Sequence, residues 1–396
     1  MNKFVFTPAT KDAAKGRLAL AGPSGSGKTY TALRVATALA AGSPIAVIDT
    51  ERGSASKYSH KFAFNRLNMT SFDPRDLVDA IAAAQAGGHE VLVVDSMSHF
   101  WNGIGGMLEL VDAAAKRSYG GNQFGGWKDA NPIERRMIDA LLAYDGHVIV
   151  TMRTKTEWVI EKDKEGRNVP RKIGLAPQQR AGIEYEFDVV GDMDLENTLT
   201  ITKSRCEDLS GAIINRPGED LAETMLAWLT DGTPTIGARE YRDRVLSGQM
   251  TADELLALHT ELGPRGLQGA AVLDAEGVPV LLGDLIVSVG RRTRAAEREA
   301  AFQRAQRDEA AVDVYLADLV ERISAAETAE DLRGLSDEVD VKHRGGFLID
   351  EERVQFAAMI AAQANLKDAE ASEEPPLQKA SRKASKKAAR PVRVAS

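Results

Sequence analysis

The sequence is poor in cysteine and lacks long apolar segments. Cys206 is the only cysteine among the 396 residues, which excludes an internal disulfide. No uninterrupted apolar run approaches the roughly 20 residues that a membrane-spanning helix needs. The first residues, Met1-Asn-Lys-Phe-Val-Phe-Thr7, also lack the apolar segment of a secretory signal. From these absences we expect no membrane partner and a reducing, cytoplasmic setting.

Acidic residues are missing from the end of the chain. The formal net charge is -8 at pH 7, yet no acid follows Glu374. Such a stretch cannot bury apolar area, so we expect a disordered basic tail. The tail could bind nucleic acid through its charge, or it could be a solvated tail without a ligand. Its basic residues are Lys379, Arg382, Lys383, Lys386, Lys387, Arg390 and Arg393.

A glycine-rich turn near the start joins an apolar run to a helical pattern. Gly22-Pro-Ser-Gly-Ser-Gly-Lys-Thr29 has the Walker A spacing and follows Leu18-Ala-Leu-Ala21. In such loops glycines bring backbone N–H groups close to phosphates, the lysine contacts the outer phosphates, and the hydroxyl holds Mg²⁺. The pattern predicts an ATP and Mg²⁺ site. The residues predicted to bind the nucleotide are Gly22, Pro23, Ser24, Gly25, Ser26, Gly27, Lys28, Thr29 and Tyr30.

Polar residues follow three later apolar runs of strand length. These runs are Ile45-Ala-Val-Ile48, Val91-Leu-Val-Val94 and His147-Val-Ile-Val150. In open parallel α/β sheets the carboxyl ends of the strands face the ligand. Asp95 therefore has the Walker B position, and with Thr29 it is predicted to hold Mg²⁺.

The other two strand ends leave alternatives open. Glu51 could position the attacking water, or it could be an ordinary loop residue. Thr151 or Arg153 could sense the γ-phosphate, although polar residues are equally common at strand ends without such a role.

The stretch from residue 116 to residue 128 is glycine-rich and has no acid between its ends. We expect a loop here, followed by a helix that begins at Asn131-Pro132. Sites for single-stranded nucleic acid combine stacking aromatic rings with cations for the phosphates. The alternative is an active-site flap or a surface loop whose aromatic residues pack on the domain. The candidate DNA contacts are Lys116, Arg117, Tyr119, Phe124, Trp127 and Lys128.

A β-hairpin is predicted between Glu157 and Gly174, with its turn near Lys164-Glu-Gly-Arg167. Its outer arm is basic, and Arg167, Arg171 and Lys172 are further candidate DNA contacts. Two more strands are predicted at residues 185–190 and 198–202. The second of them leads directly into Lys203-Ser-Arg205.

The order of these parts resembles the core of RecA-type ATPases. The similarity is closer in Ile173-Gly-Leu-Ala-Pro-Gln-Gln-Arg-Ala-Gly-Ile-Glu-Tyr-Glu-Phe-Asp-Val-Val190 followed by Thr202-Lys-Ser-Arg205. These segments are similar to phage-encoded AAA-type, RecA-like ATPases of the single-strand-annealing recombination group. The resemblance covers roughly residues 15 to 230.

This resemblance implies roles for several residues. Glu51 would activate water, and Asp95 would lie beside Mg²⁺. Lys203 and Arg205 match a Lys-x-Arg pair that enters the next subunit's site as an arginine finger does, so a homo-oligomer would complete each site. The loops with Trp127 and Arg171 would bind DNA. At the sensor strand the chain has Thr151 and Arg153 where RecA has a glutamine. A phage origin would place the protein in the cytoplasm of a bacterial host.

The composition changes after residue 230 to Ala, Glu, Arg and Leu. We therefore expect an α/β, RecA-like P-loop NTPase core with a mainly parallel sheet at residues 1–230. An α-helical region at 231–368 and the basic tail at 369–396 would follow. Thr251-Ala-Asp-Glu-Leu255 recurs as Thr328-Ala-Glu-Asp-Leu332, a weak internal repeat in which each threonine suits a helix N-cap. The helical region could bind a protein partner or serve as a spacer, and no cluster in it has metal-ligand spacing.

We therefore expect an ATP-hydrolysing RecA-like protein that acts on single-stranded DNA in phage or prophage recombination and repair. One alternative is a replicative helicase or helicase-loading motor with the same core. Another is a nucleotide-gated protein scaffold that does not bind DNA.

Overall fold

The computed structural model describes residues 14–117, 123–162, 168–233, 235–306 and 309–373. The strands are β1 (Arg17–Gly22), β2 (Ile45–Asp49), β3 (Asn65–Asn68), β4 (Val91–Asp95), β5 (His147–Lys162), β6 (Asn168–Pro177), β7 (Val189–Met193), β8 (Thr198–Ser204), β9 (Ile213–Asn215), β10 (Ala271–Leu273) and β11 (Pro279–Leu281). The helices are α1 (Lys28–Ala40), α2 (Pro74–Ala86), α3 (Ser98–Asn102), α4 (Met107–Arg117), α5 (Gln123–Leu142), α6 (Glu219–Thr230), α7 (Ala238–Leu246), α8 (Ala252–Leu262), α9 (Leu282–Gln306), α10 (Glu309–Ala325), α11 (Ala329–Arg344) and α12 (Asp350–Glu373).

The main sheet has the strand order β3-β2-β4-β5-β1-β7-β8-β9. The first six strands of this order run parallel, and β8 and β9 are antiparallel to their neighbours. The outer part of β5 pairs with β6 as the predicted hairpin. The predicted fold class, an α/β core with a mainly parallel sheet followed by a helical region, is confirmed.

Continuous apolar runs form the central strands because both faces of the sheet are covered. On β1, Leu18 and Leu20 point to one face, where α1 and α6 pack, and Ala19 and Ala21 point to the other, where α2 and α5 pack. All of these side chains are fully buried. This packing fixes the strand ends, and with them the loops that follow.

Three helices begin at residues whose side chains cap them. Asp73 caps α2, with its side chain accepting a hydrogen bond from the Arg75 N–H. The two threonines of the weak repeat, Thr251 and Thr328, both form capping boxes, with Glu254 and Asp331 as partners. The predicted N-caps of α8 and α11 are therefore confirmed.

The loop predicted at residues 116–128 is wrong for its second half. Helix α5 begins at Gln123, so Phe124, Trp127 and Lys128 are helical. The helix start predicted at Asn131-Pro132 is also wrong, because Pro132 lies inside the helix. One of the glycines that indicated a loop, Gly126, serves close packing. A Cβ on Gly126 would lie 2.4 Å from the Val111 carbonyl oxygen of α4, so only glycine fits this approach. Lys116 and Arg117 end α4, and residues 118–122 lie outside the described residues.

The strand predicted at residues 185–190 is also wrong at its start. Residues 183–186 form a short 3₁₀ turn, and β7 begins at Val189. Two edge strands were absent from the prediction. Strand β3 has four exposed residues and β9 has three residues, so neither presents an apolar run that marks a buried strand.

The chain divides into two compact units, Met1–Arg294 and Ala295–Ser396. In the first, α7, α8 and the start of α9 share a core that includes Tyr241, Leu258 and Leu285. In the second, α10, α11 and α12 share a core that includes Leu319 and Phe356. This division does not decide the predicted boundaries at residues 230 and 368, which stay predictions.

The predicted basic tail mostly lies outside the described residues. Residues 369–373 belong to α12, and residues 374–396 are not described. Among the helices that the structure does describe, none has the length and apolar character required to cross a membrane.

Candidate nucleotide-binding site

A cavity of ≈ 570 Å³ opens at the carboxyl ends of the parallel strands. Strand register explains the convergence, because Gly22 of β1 pairs with Arg153 of β5, and Asp49 of β2 pairs with Asp95 of β4. The residues that line the cavity are Ser24, Gly25, Gly27, Lys28, Thr29, Tyr30, Glu51, Ser54, Tyr58, Asp95, Arg153, Thr154 and Gln178. The cavity thus joins the predicted phosphate loop to the polar strand ends.

The predicted phosphate loop has the backbone that such a loop requires. Gly25 and Gly27 have φ values of 86° and 84°, in the left-handed region that favours glycine, and α1 starts immediately after them. Lys28 Nζ donates hydrogen bonds to the carbonyl oxygens of Gly22 at 2.9 Å and Pro23 at 2.8 Å. Burial lowers the pKa of Lys28. A phosphate would give this buried ammonium a counter-charge.

Thr29, Asp95 and Thr151 form a hydrogen-bonded group beneath the loop. Thr29 Oγ1 donates to Asp95 Oδ2 at 2.7 Å, and Thr151 Oγ1 donates to Asp95 Oδ1 at 2.5 Å. Burial raises the pKa of Asp95, although both hydrogen bonds oppose that effect. Thr151 is fully buried, and its hydroxyl is bonded to Asp95. A sensor role for Thr151 stays a prediction.

The Thr29 and Asp95 pair suits Mg²⁺. A hydroxyl and a carboxylate are the hard oxygen donors that this ion prefers, and Mg²⁺ usually takes its other ligands from water and substrate phosphates. In the described part of the chain, no group of three or more His, Cys, Asp or Glu residues could hold a metal alone. A metal here would therefore depend on the phosphates for the rest of its coordination.

Glu51 lies in the cavity as the resemblance implies, but its carboxylate has a partner. Arg153 Nε donates to Glu51 Oε1 at 2.9 Å, and Arg153 Nη2 donates to Glu51 Oε2 at 2.8 Å. Burial raises the pKa of Glu51, but the hydrogen bonds and charge of Arg153 outweigh it and hold the pKa below its ordinary value. The same hydrogen bonds raise the pKa of Arg153.

The buried carboxylate of Asp49 shapes the turn that carries Glu51. Asp49 Oδ1 accepts hydrogen bonds from the N–H groups of Glu51 at 2.8 Å and Gly53 at 3.2 Å, and Oδ2 accepts one from Ala55 at 3.2 Å. The hydroxyl of the next residue, Thr50, donates to the carbonyl oxygen of Ser96 and accepts a hydrogen bond from the Ser96 N–H, at the end of the neighbouring strand. These contacts fix the backbone on either side of Glu51.

Sequence reasoning missed part of the cavity wall. Tyr58 packs edge-on against Tyr30, with ring centroids 5.5 Å apart, and belongs to the turn that follows Glu51. Gln178 returns at the end of the hairpin, where its N–H donates to the Arg153 carbonyl at 2.7 Å. The predicted hairpin contains the signal for Gln178, because antiparallel pairing returns the chain to the residue where it left the sheet.

Lys203 and Arg205 lie away from this cavity. Lys203 pairs with Val190, level with Ala19 of β1, and Arg205 follows toward the amino edge of the sheet. Lys203 Nζ donates to the carbonyl oxygens of Glu184, Tyr185 and Phe187. Arg205 Nη1 donates to Asp188 Oδ1 at 2.8 Å. These residues are not part of the ATP cavity in their own chain, and a role in the next subunit stays a prediction.

The candidate DNA contacts are described only in part. Lys116, Arg117 and Lys128 are exposed, and Phe124 has 87% of its surface exposed. Trp127 stacks on Trp101 at a centroid distance of 5.7 Å, as the packing alternative expected for the aromatic residues. For Arg171 and Lys172 only the backbone is described, and Tyr119 and Arg167 lie outside the described residues.

A family model described as an AAA domain matches residues 14–211, which is half of the chain. The match spans the phosphate loop, the three polar strand ends and the hairpin. No curated protein matches the chain.

Proposed function

Because the chain belongs to the AAA domain family of P-loop ATPases, we propose that it hydrolyses ATP and acts on single-stranded DNA in phage or prophage recombination. One observation carries the ATPase part. A single cavity holds the phosphate loop, the Thr29 and Asp95 pair, and the carboxylate of Glu51.

The proposed reaction assigns one task to each group. Backbone N–H groups at the start of α1 and the ammonium of Lys28 bind the phosphates. Glu51 accepts a proton from a water molecule, whose oxygen forms a bond to the γ-phosphorus while the bond to the ADP oxygen breaks. Thr29 and Asp95 would hold Mg²⁺, which when bound neutralises charge on the phosphate oxygens.

The hairpin supports the DNA part of the proposal. Arg153 and Thr154 on β5 and Gln178 after β6 all line the ATP cavity, so both arms of the hairpin begin there. The predicted DNA contacts Arg171 and Lys172 belong to β6. A nucleic acid held by this hairpin would therefore be connected to the γ-phosphate by a short, continuous piece of sheet.

The test is the ATP hydrolysis rate of the purified protein with and without single-stranded DNA, and with Lys28→Ala as the control for contaminating ATPases. We expect DNA to raise the rate and salt to weaken DNA binding, because phosphate contacts release counterions. Absence of hydrolysis would contradict the ATPase proposal. Hydrolysis without any effect of DNA, and without salt-sensitive binding, would contradict the DNA proposal alone. Directional strand displacement from a forked duplex would instead favour a helicase.

Two exposed phenylalanines form a matched pair for locating the DNA surface. Phe124 precedes the Trp127 turn of α5, whereas Phe302 is exposed on α9. If bases stack on Phe124, then Phe124→Ala weakens single-stranded DNA binding by about tenfold, and Phe302→Ala leaves it unchanged. Equal effects of the two substitutions would argue against the surface around α5.

A further inference from the structure

The ion pair between Glu51 and Arg153 occupies the groups that the reaction needs. The guanidinium and the carboxylate meet at two points, with distances of 2.9 Å and 2.8 Å, in the fork geometry that gives strong charge-assisted hydrogen bonds. Both side chains are partly exposed to the cavity, Arg153 by 43% and Glu51 by 25%. A carboxylate held in this way is a weaker acceptor for a proton from water.

The backbone of Arg153 is anchored while its side chain faces the cavity. Its N–H donates to Ser98 Oγ at 2.9 Å, and its carbonyl accepts the Gln178 N–H at 2.7 Å. Arg153 lies beside Gly22, the first residue of the phosphate loop, through the pairing of β5 with β1. The guanidinium can therefore change partner by side-chain rotation, without movement of the strand.

We propose that the γ-phosphate of ATP competes with Glu51 for the guanidinium of Arg153. This rests on the proposed ATPase function. A terminal phosphate carries more negative charge than a carboxylate and offers oxygens with the same fork spacing, so it is the stronger partner. When the Arg153 guanidinium rotates to the γ-phosphate, the Glu51 carboxylate is free to accept a proton from water. ADP lacks this phosphate, so Arg153 returns to Glu51 when the phosphate leaves.

The competition makes Arg153 a residue that distinguishes ATP from ADP, and it makes Glu51 an antagonist of ATP binding. A permanent structural ion pair would have neither property. The two cases separate in the ratio of two dissociation constants, that for ADP divided by that for a non-hydrolysable ATP analogue, both measured with Mg²⁺. This binding ratio needs no turnover.

The experiment compares this ratio in wild type, Glu51→Gln, Arg153→Gln and the double variant. Glu51→Gln removes the competitor, so we expect the analogue to bind about tenfold more tightly while ADP binding stays unchanged. Arg153→Gln should lower the ratio by a similar factor. In the Arg153→Gln background, Glu51→Gln should have no further effect, because there is no guanidinium left to release.

Two further variants guard the interpretation. Arg153→Lys keeps the charge but loses the fork, so its ratio should lie between those of wild type and Arg153→Gln. If Arg153→Gln does not fold, Arg153→Lys replaces it in the comparison with Glu51→Gln and the double variant. Arg52→Gln removes an exposed arginine next to Glu51 in sequence and should leave the ratio unchanged.

Each outcome has one meaning. If both nucleotides bind but Glu51→Gln leaves the ratio unchanged, or acts equally with and without Arg153, the competition is wrong and the ATPase proposal stands. If neither nucleotide binds to the wild-type protein, the ATPase proposal and the competition both fail.

Discussion

The carboxyl edge and the amino edge of the parallel sheet, where its strands end and begin, use the same kinds of charged residue in different ways. At the carboxyl edge, Lys28, Glu51 and Arg153 face a cavity of ≈ 570 Å³. At the amino edge, Arg17 is buried and Lys203 bonds to backbone carbonyls. The charged groups of the first edge line the candidate nucleotide cavity, whereas Arg17 and Lys203 at the second edge lie outside it.

Arg17 illustrates the amino edge. Its guanidinium donates to the carbonyl oxygens of Leu142, the last residue of α5, and of Tyr144 and Gly146 just after it, at 2.8, 2.5 and 2.8 Å. Burial lowers the pKa of Arg17 to about 10, so it remains charged at neutral pH. A cation that satisfies carbonyls at a helix end stabilises the fold, although Arg17 also lines a separate cavity of ≈ 650 Å³.

The comparison shows that the position of a charged motif in the sheet must be known before a function is assigned to it. Lys203 and Arg205 resemble an arginine-finger pair in sequence, yet they lie away from the candidate nucleotide cavity, toward the amino edge. Their proposed catalytic role therefore requires a second subunit, and the predictions below test the difference between the edges.

The largest expected effect is that of Arg205→Ala on ATP hydrolysis, a loss of about a thousandfold if this residue completes the neighbour's site. Its partial exposure and its bond to Asp188 give it a weak structural role, so folding should be retained. Mixing Arg205→Ala with Lys28→Ala subunits should restore part of the rate, because intact loops then meet intact fingers. Absence of rescue at every mixing ratio would contradict a role of Arg205 in the neighbouring subunit's site.

Arg17→Met should leave the ATP site intact and weaken the fold. Removal of the guanidinium takes a donor from five backbone carbonyls, so we expect the free energy of unfolding to fall by about 3 kcal/mol. Urea denaturation measures this change. Lys15→Met is the matched control, because Lys15 is a more exposed cation at the same edge, paired with Glu90, and should cost about 1 kcal/mol or less. Equal losses would contradict the structural role of Arg17.

The smallest expected effect near neutral pH is a pH dependence of stability from His147 at the amino edge. Burial lowers the pKa of His147 to about 4, and its Nδ1 accepts the Gly16 N–H. The unfolded chain binds this proton with a pKa of about 6.5, so acid favours unfolding. The contribution of His147 to the free energy of unfolding is fully present above about pH 6.5. It should fall by up to about 1.4 kcal/mol per pH unit between about pH 6.5 and 4.

His147→Gln should remove this part of the pH dependence, whereas substitution of the exposed His60 should not. Urea denaturation at several pH values measures both. An unchanged slope in His147→Gln would assign the acid sensitivity to other groups.

The carboxyl edge was largely predictable from sequence. Buried parallel strands read as continuous apolar runs, so the positions of Glu51 and Asp95 at strand ends followed from local pattern alone. The pairing of Glu51 with Arg153 could not be predicted, because β4 separates their strands in the sheet and side-chain directions are set by tertiary packing.

Other failures have equally physical causes. Gly126 signalled a loop because sequence cannot tell a flexible glycine from one that lets two helices approach. The exposed strand β3 has no apolar run, since an edge strand need not bury its side chains. Sequence patterns report burial well, and they report close backbone contacts and edge pairing poorly.

The most direct test of the account is the rate of ATP hydrolysis by Glu51→Gln, measured beside its affinity for a non-hydrolysable ATP analogue. The account predicts that hydrolysis falls by about a thousandfold, because the proton acceptor is lost, while binding is retained or tightened. A hydrolysis rate close to that of the wild-type protein would contradict the assignment of this cavity as the site of catalysis by Glu51.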